Sequence, residues 1–414
     1  MGYRPRFAEK KLKSLARHFK VVLVSGARQV GKSTLLANVY PRLRRIELDP
    51  VQDLHGARRD PDLFLDSFPP PLILDEIQHA PELLPALKRR VDRWEKKGQY
   101  FLSGSQNLAA LRSVAESMAG RVGILRLEGL SPWEAVGLDG RDSWLPAYLD
   151  DPDGLVRRVT GRLNEPAGRL NRLLWRGSLP GLLELPDDVV PDYMASYVQT
   201  CLERDIRAFG DIQDLGEFAR FLAIEAALTA QEVNDAHLGR ELRVSGKTAH
   251  RWRDMLVHSF QWRELPAYGG NAVKRVTQKR KGHLADTGLA CYLQRISSPE
   301  ALSVSPLLGA LFETFVVGLI HQQSVCVSVP PLVHHWRSAG GAEVDIVLER
   351  DGTLFPVEVK CRTALTGHDL RGLRAFREGC GHPRVAPGLI VYAGAEAVRM
   401  DRHTIALPWD AVCG

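Results

Sequence analysis

The first third of the chain alternates short apolar runs with stretches that have a helical spacing of apolar residues. The apolar runs are VVLVSG, RRIELD, PLILDE and YFLSGS, and stretches such as KSTLLANVY and LLPALKRRVDRW lie between them. This alternation is typical of an α/β domain with a mostly parallel sheet. The acidic, turn-rich segment GLDGRDSWLPAYLDDPDG follows. The pattern therefore predicts that a first domain covers residues 1–150.

The remaining chain is predicted to form three further domains. Residues 151–215 have a helical pattern typical of a small lid. Residues 216–295 contain ELRVSGKTAHRWRDMLVHSF, which predicts two helices joined by a tight turn, and then a glycine-punctuated basic hairpin. This is the order of a winged helix-turn-helix. Residues 296–414 contain a helix around LLGALFETFVVGLIHQ, a hairpin and a final strand.

The segment EVDIVLERDGTLFPVEVK predicts a β-hairpin with charged residues on one face. Its turn is Asp351-Gly352, a pair that favours positive φ. Pairing residues at equal distances from the turn gives one apolar face and sets Asp345 opposite Glu358 on the other, with Lys360 on the same side. Opposed carboxylates destabilise a sheet unless positive charge lies between them. A divalent cation or a lysine would supply that charge.

The segment GARQVGKST has the pattern of a phosphate-binding loop. It follows an apolar strand and opens a helix, which is the context that G-x-x-x-x-G-K-[ST] requires. Lys32 is expected to reach the β- and γ-phosphates of ATP, and the Ser33 hydroxyl to bind Mg²⁺ at the start of the helix. The expected nucleotide-contacting residues are Gly26, Ala27, Arg28, Gln29, Val30, Gly31, Lys32, Ser33 and Thr34.

Two further strand ends carry polar side chains that suit ATP hydrolysis. The strand PLILDE ends in Asp75, which is expected to order the magnesium shell, and in Glu76, which is expected to polarise the attacking water. The strand YFLSGS places Ser103 and Ser105 at the next strand end. Either hydroxyl would sense the γ-phosphate, or satisfy the backbone of a turn.

Two arginines are candidates for neutralising charge at the nucleotide. They are Arg121 in MAGRVGILRL and Arg204 in LERDI. The alternative for each is a structural ion pair. Of the two, Arg121 is the preferred candidate.

The charge of the chain indicates an anionic partner. The net charge is +6, and basic residues are concentrated between Lys274 and His283. DNA is the expected partner, because basic side chains on a recognition helix and a wing neutralise phosphates. The alternative is that the winged helix docks another protein or acts as a lid. The residues expected to contact DNA are Lys247, His250, Arg251, Arg253, Lys274 and Arg275.

The order of these motifs resembles a large family of bacterial and archaeal AAA-type ATPases with a winged helix and a C-terminal domain of uncertain function. The resemblance rests on GARQVGKSTLL, LILDEIQHAPELLPALKRRVD, LSGSQ, MAGRVGILRLEGLSPWEA, LERDI, DTGLACYL and EVDIVL with PVEVKC, and spans nearly the whole chain. It implies an α/β protein with a RecA-like AAA P-loop ATPase core, a helical lid, a winged helix-turn-helix and a C-terminal α/β domain similar to restriction endonucleases.

The resemblance to PD-(D/E)XK nucleases gives the hairpin a metal-binding interpretation. Asp345 and Glu358 would hold Mg²⁺ or Mn²⁺, Glu313 on the preceding helix would add a third carboxylate, and Lys360 would position or activate water. The alternative is that Lys360 only neutralises the acidic pair, in a domain that grips DNA or another domain without cleaving it.

Three functional hypotheses follow. The first is a DNA-processing ATPase that uses ATP and Mg²⁺, acts in repair or defence, and carries a nuclease-like site. The second is a nucleotide-gated regulatory switch whose C-terminal domain docks protein partners, and the third is a transcription regulator with an ATPase sensor. The six cysteines form no Cys-x-x-Cys pair, and no apolar run reaches the length of a membrane span. We therefore expect a cytoplasmic protein without a membrane partner, for which self-association is compatible with the sequence.

Overall fold

The computed structural model describes residues 2–105, 118–163, 169–202, 215–269 and 279–414. These residues form two compact units. The first contains Met1–Leu130, Leu179–Gly181 and His258–Phe260, and the second contains Ser131–Ser178, Leu182–Val257 and Gln261–Gly414. No helix within the described ranges has both the length and the apolar composition needed to cross a membrane.

The first unit is built on a five-stranded parallel sheet. Its strands are β1 (Val21–Ser25), β2 (Arg44–Glu47), β3 (Leu72–Asp75), β4 (Tyr100–Gly104) and β5 (Val122–Arg126), in the order β2-β3-β4-β1-β5. Its helices are α1 (Ala8–His18), α2 (Lys32–Val39), α3 (Pro61–Ser67) and α4 (Leu83–Arg93). Strands β1, β3 and β4 are buried at every position, as expected for parallel strands covered on both faces. The predicted α/β fold with a mostly parallel sheet is confirmed.

The second unit begins with short helices. They are α5 (Pro132–Ala135), α6 (Trp144–Asp150), α7 (Leu155–Arg158), α8 (Arg169–Arg176) and α9 (Val190–Tyr197), with strand β6 (Val159–Arg162) after α7. Residues 131–150, which the sequence pattern assigns to the first domain, therefore fold with the second unit.

The middle of the second unit combines three helices with a small antiparallel sheet. The elements are α10 (Leu215–Ala227), β7 (Gln231–Glu232), α11 (Asp235–Leu242), α12 (Gly246–His258), β8 (Trp262–Leu265) and β9 (Lys281–Leu284). Strand β9 lies between β7 and β8. The two helices joined by a tight turn agree with the sequence pattern.

The C-terminal part of the second unit is a six-stranded mixed sheet. The elements are α13 (Thr287–Leu293), α14 (Pro299–Ser303), α15 (Leu308–Ser324), β10 (Leu332–Arg337), β11 (Glu343–Arg350), β12 (Thr353–Lys360), α16 (Arg371–Gly379), β13 (Gly388–Tyr392), β14 (Val398–Asp401), β15 (Thr404–Pro408) and β16 (Ala411–Cys413). The strand order is β10-β11-β12-β13-β15-β14, and β16 pairs separately with β6.

The predicted hairpin is present with the predicted register. Asp351 has φ 51° and Gly352 has φ 69°, as the two-residue turn requires. Strands β11 and β12 pair antiparallel with Ile346 opposite Val357, Leu348 opposite Phe355 and Arg350 opposite Thr353. The position of the two-residue turn, together with the period of two along each strand, was therefore sufficient to predict this register.

Candidate nucleotide site and acidic cluster

The phosphate-binding loop leaves β1 and enters α2 through several residues with positive φ. These are Gly26 at 152°, Gln29 at 61° and Gly31 at 93°. A Cβ on Gly26 would lie 2.2 Å from Leu127 O, so the loop approaches its neighbour too closely for a side chain there. The other predicted loop residues Ala27, Arg28 and Val30 lie in the same loop, and Ser33 and Thr34 lie in the first turn of α2.

Arg6 braces this loop from a distant part of the sequence. Its guanidinium is buried and donates from Nη1 to Val30 O at 2.8 Å. Its Nη2 donates to Glu128 O at 2.7 Å and Gly129 O at 3.0 Å. Arg6 therefore ties the loop to the segment after β5. No sequence spacing indicates this role, because the acceptors are 24 and more than 120 residues away.

Lys32 and Ser33 lie where the phosphate-binding loop enters α2. Lys32 is buried, and its Nζ donates to Gly26 O at 3.1 Å and Ala27 O at 2.8 Å, so the ammonium lies within the loop. Ser33 Oγ donates to Asp75 Oδ1 at 2.9 Å. A hydroxyl next to a carboxylate at a helix start offers the hard oxygen ligands that Mg²⁺ prefers. The residues present therefore fit the expected magnesium ion.

Asp75 ends β3 and is 1% exposed. Besides Ser33, it accepts a hydrogen bond from Ser103 Oγ through Oδ1, and Arg45 Nη2 lies 2.7 Å from its Oδ2. Arg45 comes from β2, the strand that pairs with β3. A buried carboxylate needs such compensation. Sequence reasoning missed Arg45, because RRIELD reads only as a strand.

Glu76 follows β3 in a left-handed backbone conformation, with φ 58°. Its N–H donates to Ser103 Oγ at 3.1 Å. Its carboxylate accepts from Ser105 Oγ, at 3.1 Å from Oε2, and from Gln78 Nε2. The structure thus brings both predicted serines to the acidic pair: Ser103 contacts Asp75 and Glu76, and Ser105 contacts Glu76.

The assignment of Arg121 to the nucleotide site of this chain is wrong. Strands β1 and β5 run parallel from the pair Val21 and Val122, so Arg121 lies at the edge of the sheet opposite the phosphate-binding loop. Its guanidinium instead forms an ion pair with Asp92. The other candidate, Arg204, lies outside the described residues.

An acidic cluster in the second unit contains a lysine that the sequence analysis did not select. Lys281 of β9 places its Nζ 2.5 Å from Glu313 Oε1 on α15 and 3.3 Å from Asp345 Oδ1 on β11. Asp345 Oδ2 accepts from the Val359 N–H at 2.9 Å. The hairpin pattern allowed either a divalent cation or a lysine beside these carboxylates, and the lysine that lies beside Asp345 is Lys281.

Lys360 pairs with the other carboxylate of the hairpin. Its Nζ donates to Glu358 Oε1 at 2.5 Å. Among the residues that the structure describes, no group of three or more His, Cys, Asp or Glu side chains is arranged to hold a metal ion. The expected ligand set Glu313, Asp345 and Glu358 therefore does not fit a divalent ion in this structure, because an ammonium group pairs with one oxygen of each carboxylate.

Burial dominates the electrostatics of this cluster. It raises the pKa of Glu313 well above the usual value, and the charge of Asp345 raises it further against the effect of Lys281. Burial likewise raises the pKa of Glu358 to about 8, with Asp345 adding to the effect and Lys360 opposing it. Burial alone would lower the pKa of Lys281, but the charges of Glu313 and Asp345 raise it above the usual lysine value.

The predicted recognition helix, α12, exposes only part of its basic residues. Arg253 is buried; its Nε donates to Glu225 Oε1 at 2.7 Å and its Nη1 to Asp235. Burial raises the pKa of Glu225 to about 7, with Arg253 opposing the effect. The expectation that Arg253 contacts DNA is therefore wrong. The exposed basic residues of the predicted set are Lys247, His250 and Arg251.

The basic stretch from Lys274 to His283 is only partly available to a partner. Lys274 and Arg275, expected on the wing, lie outside the described residues. Lys281 belongs to the acidic cluster, and the fully buried His283 contacts Thr314 Oγ1 through Nδ1 at 3.1 Å. Within residues 279–283, the described part of this segment, Lys279 and Arg280 are exposed, whereas Lys281 and His283 are not.

Comparison with known families divides the chain into three parts. Residues 18–136 match the AAA domain. Residues 167–300 and 308–412 match two domains of unknown function, DUF8612 and DUF4143. Uncharacterized proteins of Mycobacterium bovis and Mycobacterium tuberculosis are each 29% identical to this chain over 409 residues, which cover 98% of this chain and 84% of theirs.

Solved structures share a weaker similarity. A Walker-type ATPase of Pyrococcus abyssi aligns over 71% of this chain and 99% of its own, with a TM-score of 0.43 and 14% identity. The RuvB Holliday junction branch migration motor of Thermotoga maritima aligns over 63% of this chain and 90% of its own, with a TM-score of 0.30 and 19% identity. Neither similarity carries a functional argument. The match of residues 18–136, together with Lys32, Ser33, Asp75 and Glu76, establishes that the chain carries an AAA-type P-loop ATPase domain.

Proposed function

We propose that the first unit hydrolyses ATP with Mg²⁺ and that its nucleotide state controls DNA binding by the second unit. The observation that supports the chemistry is the assembly of a buried loop lysine, a helix-start serine and two consecutive acidic residues at the end of β3. The lysine and serine lie at the start of α2 and the two acidic residues at the end of β3, and each group has the chemistry that one step of phosphoryl transfer needs.

Each residue has a distinct role in this proposal. Lys32 exchanges its contacts with Gly26 O and Ala27 O for the β- and γ-phosphate oxygens. Ser33 and Asp75 would hold the magnesium ion, whose charge would compensate that of the phosphates. Glu76, kept in place by Ser105, orients and polarises the attacking water.

The variants Lys32→Ala and Glu76→Gln test this chemistry. Lys32→Ala removes the phosphate-binding cation, so we expect both ATP affinity and turnover to fall by at least about a hundredfold. Glu76→Gln keeps the shape but cannot polarise water, so ATP should bind with nearly native affinity while turnover falls by about a hundredfold or more. Affinity is measured with a fluorescent ATP analogue and turnover by phosphate release, with and without double-stranded DNA.

Arg121→Ala is the matched control, since it removes an arginine at the far edge of the same sheet. Native affinity and turnover are expected for it. Glu76→Gln with native turnover would refute the catalytic role of Glu76, and loss of both properties in Arg121→Ala would indicate that the assay reports general damage to the first unit.

The support for DNA as the partner is the exposed basic face of α12. Lys247, His250 and Arg251 lie on the solvent side of this helix, which follows α11 through a tight turn. A winged helix with such residues binds phosphates with little sequence preference. DNA-stimulated ATP turnover would support this arrangement.

A second candidate is a nucleotide-gated switch in which the C-terminal sheet docks protein partners. The observation in its favour is the pairing of Asp345, Glu313 and Glu358 with lysines. We therefore do not propose metal-dependent DNA cleavage. Turnover that is unaffected by DNA would favour this second candidate.

A further inference from the structure

We propose that Lys281 is the resident cation of the acidic cluster, where its ammonium takes the place of a divalent metal ion and fastens β9 to α15 and β11. The cluster joins elements that are distant in sequence. Its ion pairs are 2.5 Å and 3.3 Å long, from Lys281 Nζ to Glu313 Oε1 and to Asp345 Oδ1.

These ion pairs matter for stability because the charged groups are largely buried. The side chains of Lys281, Glu313 and Asp345 are 12%, 13% and 9% exposed. Charges removed from water to this degree must be compensated by a partner, unlike exposed surface pairs. Because β9 is the central strand of its sheet, Lys281 connects that whole sheet to the six-stranded sheet.

Two buried atoms in the cluster have unused hydrogen-bonding capacity. Glu358 Oε2 and His283 Nε2 have no hydrogen-bond partner among the described residues, and the two side chains are 6% and 0% exposed. His283 Nε2 lies 3.8 Å from Glu313 Oε1. These two atoms remain without a partner even with Lys281 and Lys360 in place, which makes the cluster a latent site for a divalent cation.

A cleft borders this site at Lys281 and Glu313. Its volume is about 500 Å³, and its lining includes Lys281, Glu313, His335 and Glu343. Carboxylate oxygens suit Mn²⁺ and Mg²⁺ once the ammonium is withdrawn. The native chain should therefore be insensitive to these ions here, whereas a chain without the Lys281 charge should bind them.

Lys281→Ala, studied without nucleotide, tests the proposal. In chelator its melting temperature should fall by about 5 to 8 °C, because the carboxylates lose their partner. Millimolar Mn²⁺ should restore most of this loss, since an ion that binds only the folded state stabilises it. The wild type and the matched control Lys279→Ala, which removes an exposed neighbouring lysine, should melt at the same temperature with and without Mn²⁺.

A second readout is Mn²⁺ binding by electron paramagnetic resonance. Lys281→Ala should bind one more Mn²⁺ than the wild type, and Lys281→Ala/Asp345→Asn should not. If Lys281→Ala does not fold, Lys281→Gln supplies the uncharged side chain. Nucleotide-independent Mn²⁺ binding by the wild type that Asp345→Asn abolishes would overturn the proposal, as would a native melting temperature for Lys281→Ala in chelator.

Discussion

Asp75 illustrates how much of the nucleotide site depends on neighbours outside the motif. Its Oδ1 accepts from Ser33 and Ser103, and its Oδ2 faces Arg45. With Arg45 on one oxygen, the other is directed to the serine that would share the magnesium ion. Arg45 therefore compensates the buried charge of Asp75 when no metal is bound, and also fixes its orientation.

Replacing Arg45 should have an effect that depends on magnesium. We expect Arg45→Ala to destabilise the nucleotide-free protein by about 1–3 kcal/mol, less than a fully buried pair would lose, because the Arg45 side chain is 38% exposed. Mg²⁺ with ATP should reduce this loss, since the ion supplies positive charge beside Asp75. Thermal unfolding in EDTA and with Mg²⁺ and ATP measures both values.

Arg89→Ala is the control, because its pair with Asp62 is more than half exposed on both sides. It should change stability by less than about 0.5 kcal/mol in either condition. An equal loss for Arg45→Ala with and without Mg²⁺ and ATP would contradict the proposed compensation.

Local sequence predicts those candidate residues of the site that lie within one motif. Lys32 and Ser33 follow from the spacing of the loop, and Asp75 and Glu76 from a strand that ends in two acids. Arg45 could not be predicted in this way, because it contacts Asp75 only through the pairing of two strands that are separate in sequence.

At the scale of elements, α12 has one face for packing and one for solvent. Its buried face includes Trp252, Arg253 and Leu256, whereas Lys247 and Arg251 are exposed. The helical period places Arg253 and Arg251 on different sides of α12, although both are basic residues of the same short sequence segment. Whether each basic residue binds a partner or holds the fold is decided by the acids on neighbouring elements.

Arg253 and Arg251 should therefore respond differently to substitution. Arg253→Met leaves Glu225 buried without its partner; both side chains are 2% exposed, so we expect a loss of about 3–5 kcal/mol. Arg251→Ala removes an exposed side chain and should change stability by less than about 0.5 kcal/mol. Urea denaturation monitored by tryptophan fluorescence measures both.

The double variant Arg253→Met/Glu225→Gln tests the cause of the loss. It should recover part of the stability that Arg253→Met loses, because no buried charge remains. A double variant less stable than Arg253→Met would show that packing of the arginine, and not charge compensation, accounts for the loss.

Elements with strict periodicity were predicted correctly, whereas the boundary between the units was not. The hairpin register follows from a two-residue turn and a period of two. The turn-rich stretch near residue 150 does not separate the units, because α6 packs within the second unit. There, Leu145 N donates to Gln323 Oε1 at 2.8 Å and Tyr148 OH to Pro387 O at 2.8 Å. These contacts span at least 178 residues, which no local pattern reports.

At the scale of the whole molecule, charge alone does not identify the partner. The net charge is +6, but some of the positive side chains are buried and form contacts within the protein, so they are not available to a partner. These are Arg253, Arg6 and Lys281. In the proposed function, the exposed basic residues of α12 are the ones that would contact DNA. The proposed coupling to ATP therefore depends on a small number of phosphate contacts.

The dependence of DNA affinity on salt measures those contacts. For the wild type, the logarithm of the affinity for duplex DNA should fall linearly with the logarithm of salt concentration, by about 0.9 for each phosphate neutralised. Lys247→Ala/Arg251→Ala should reduce that slope by about two units, because two contacts are lost. Arg374→Ala removes one exposed positive charge from α16 and should leave the slope unchanged.

The effect of nucleotide state on DNA affinity can be measured by fluorescence anisotropy with Glu76→Gln, which is expected to retain bound ATP. If nucleotide state controls binding, the DNA affinity of this variant with ATP should differ from its affinity with ADP. A slope near zero, equal affinities with ATP and ADP, or ATP turnover unaffected by DNA would instead support a switch that docks protein partners.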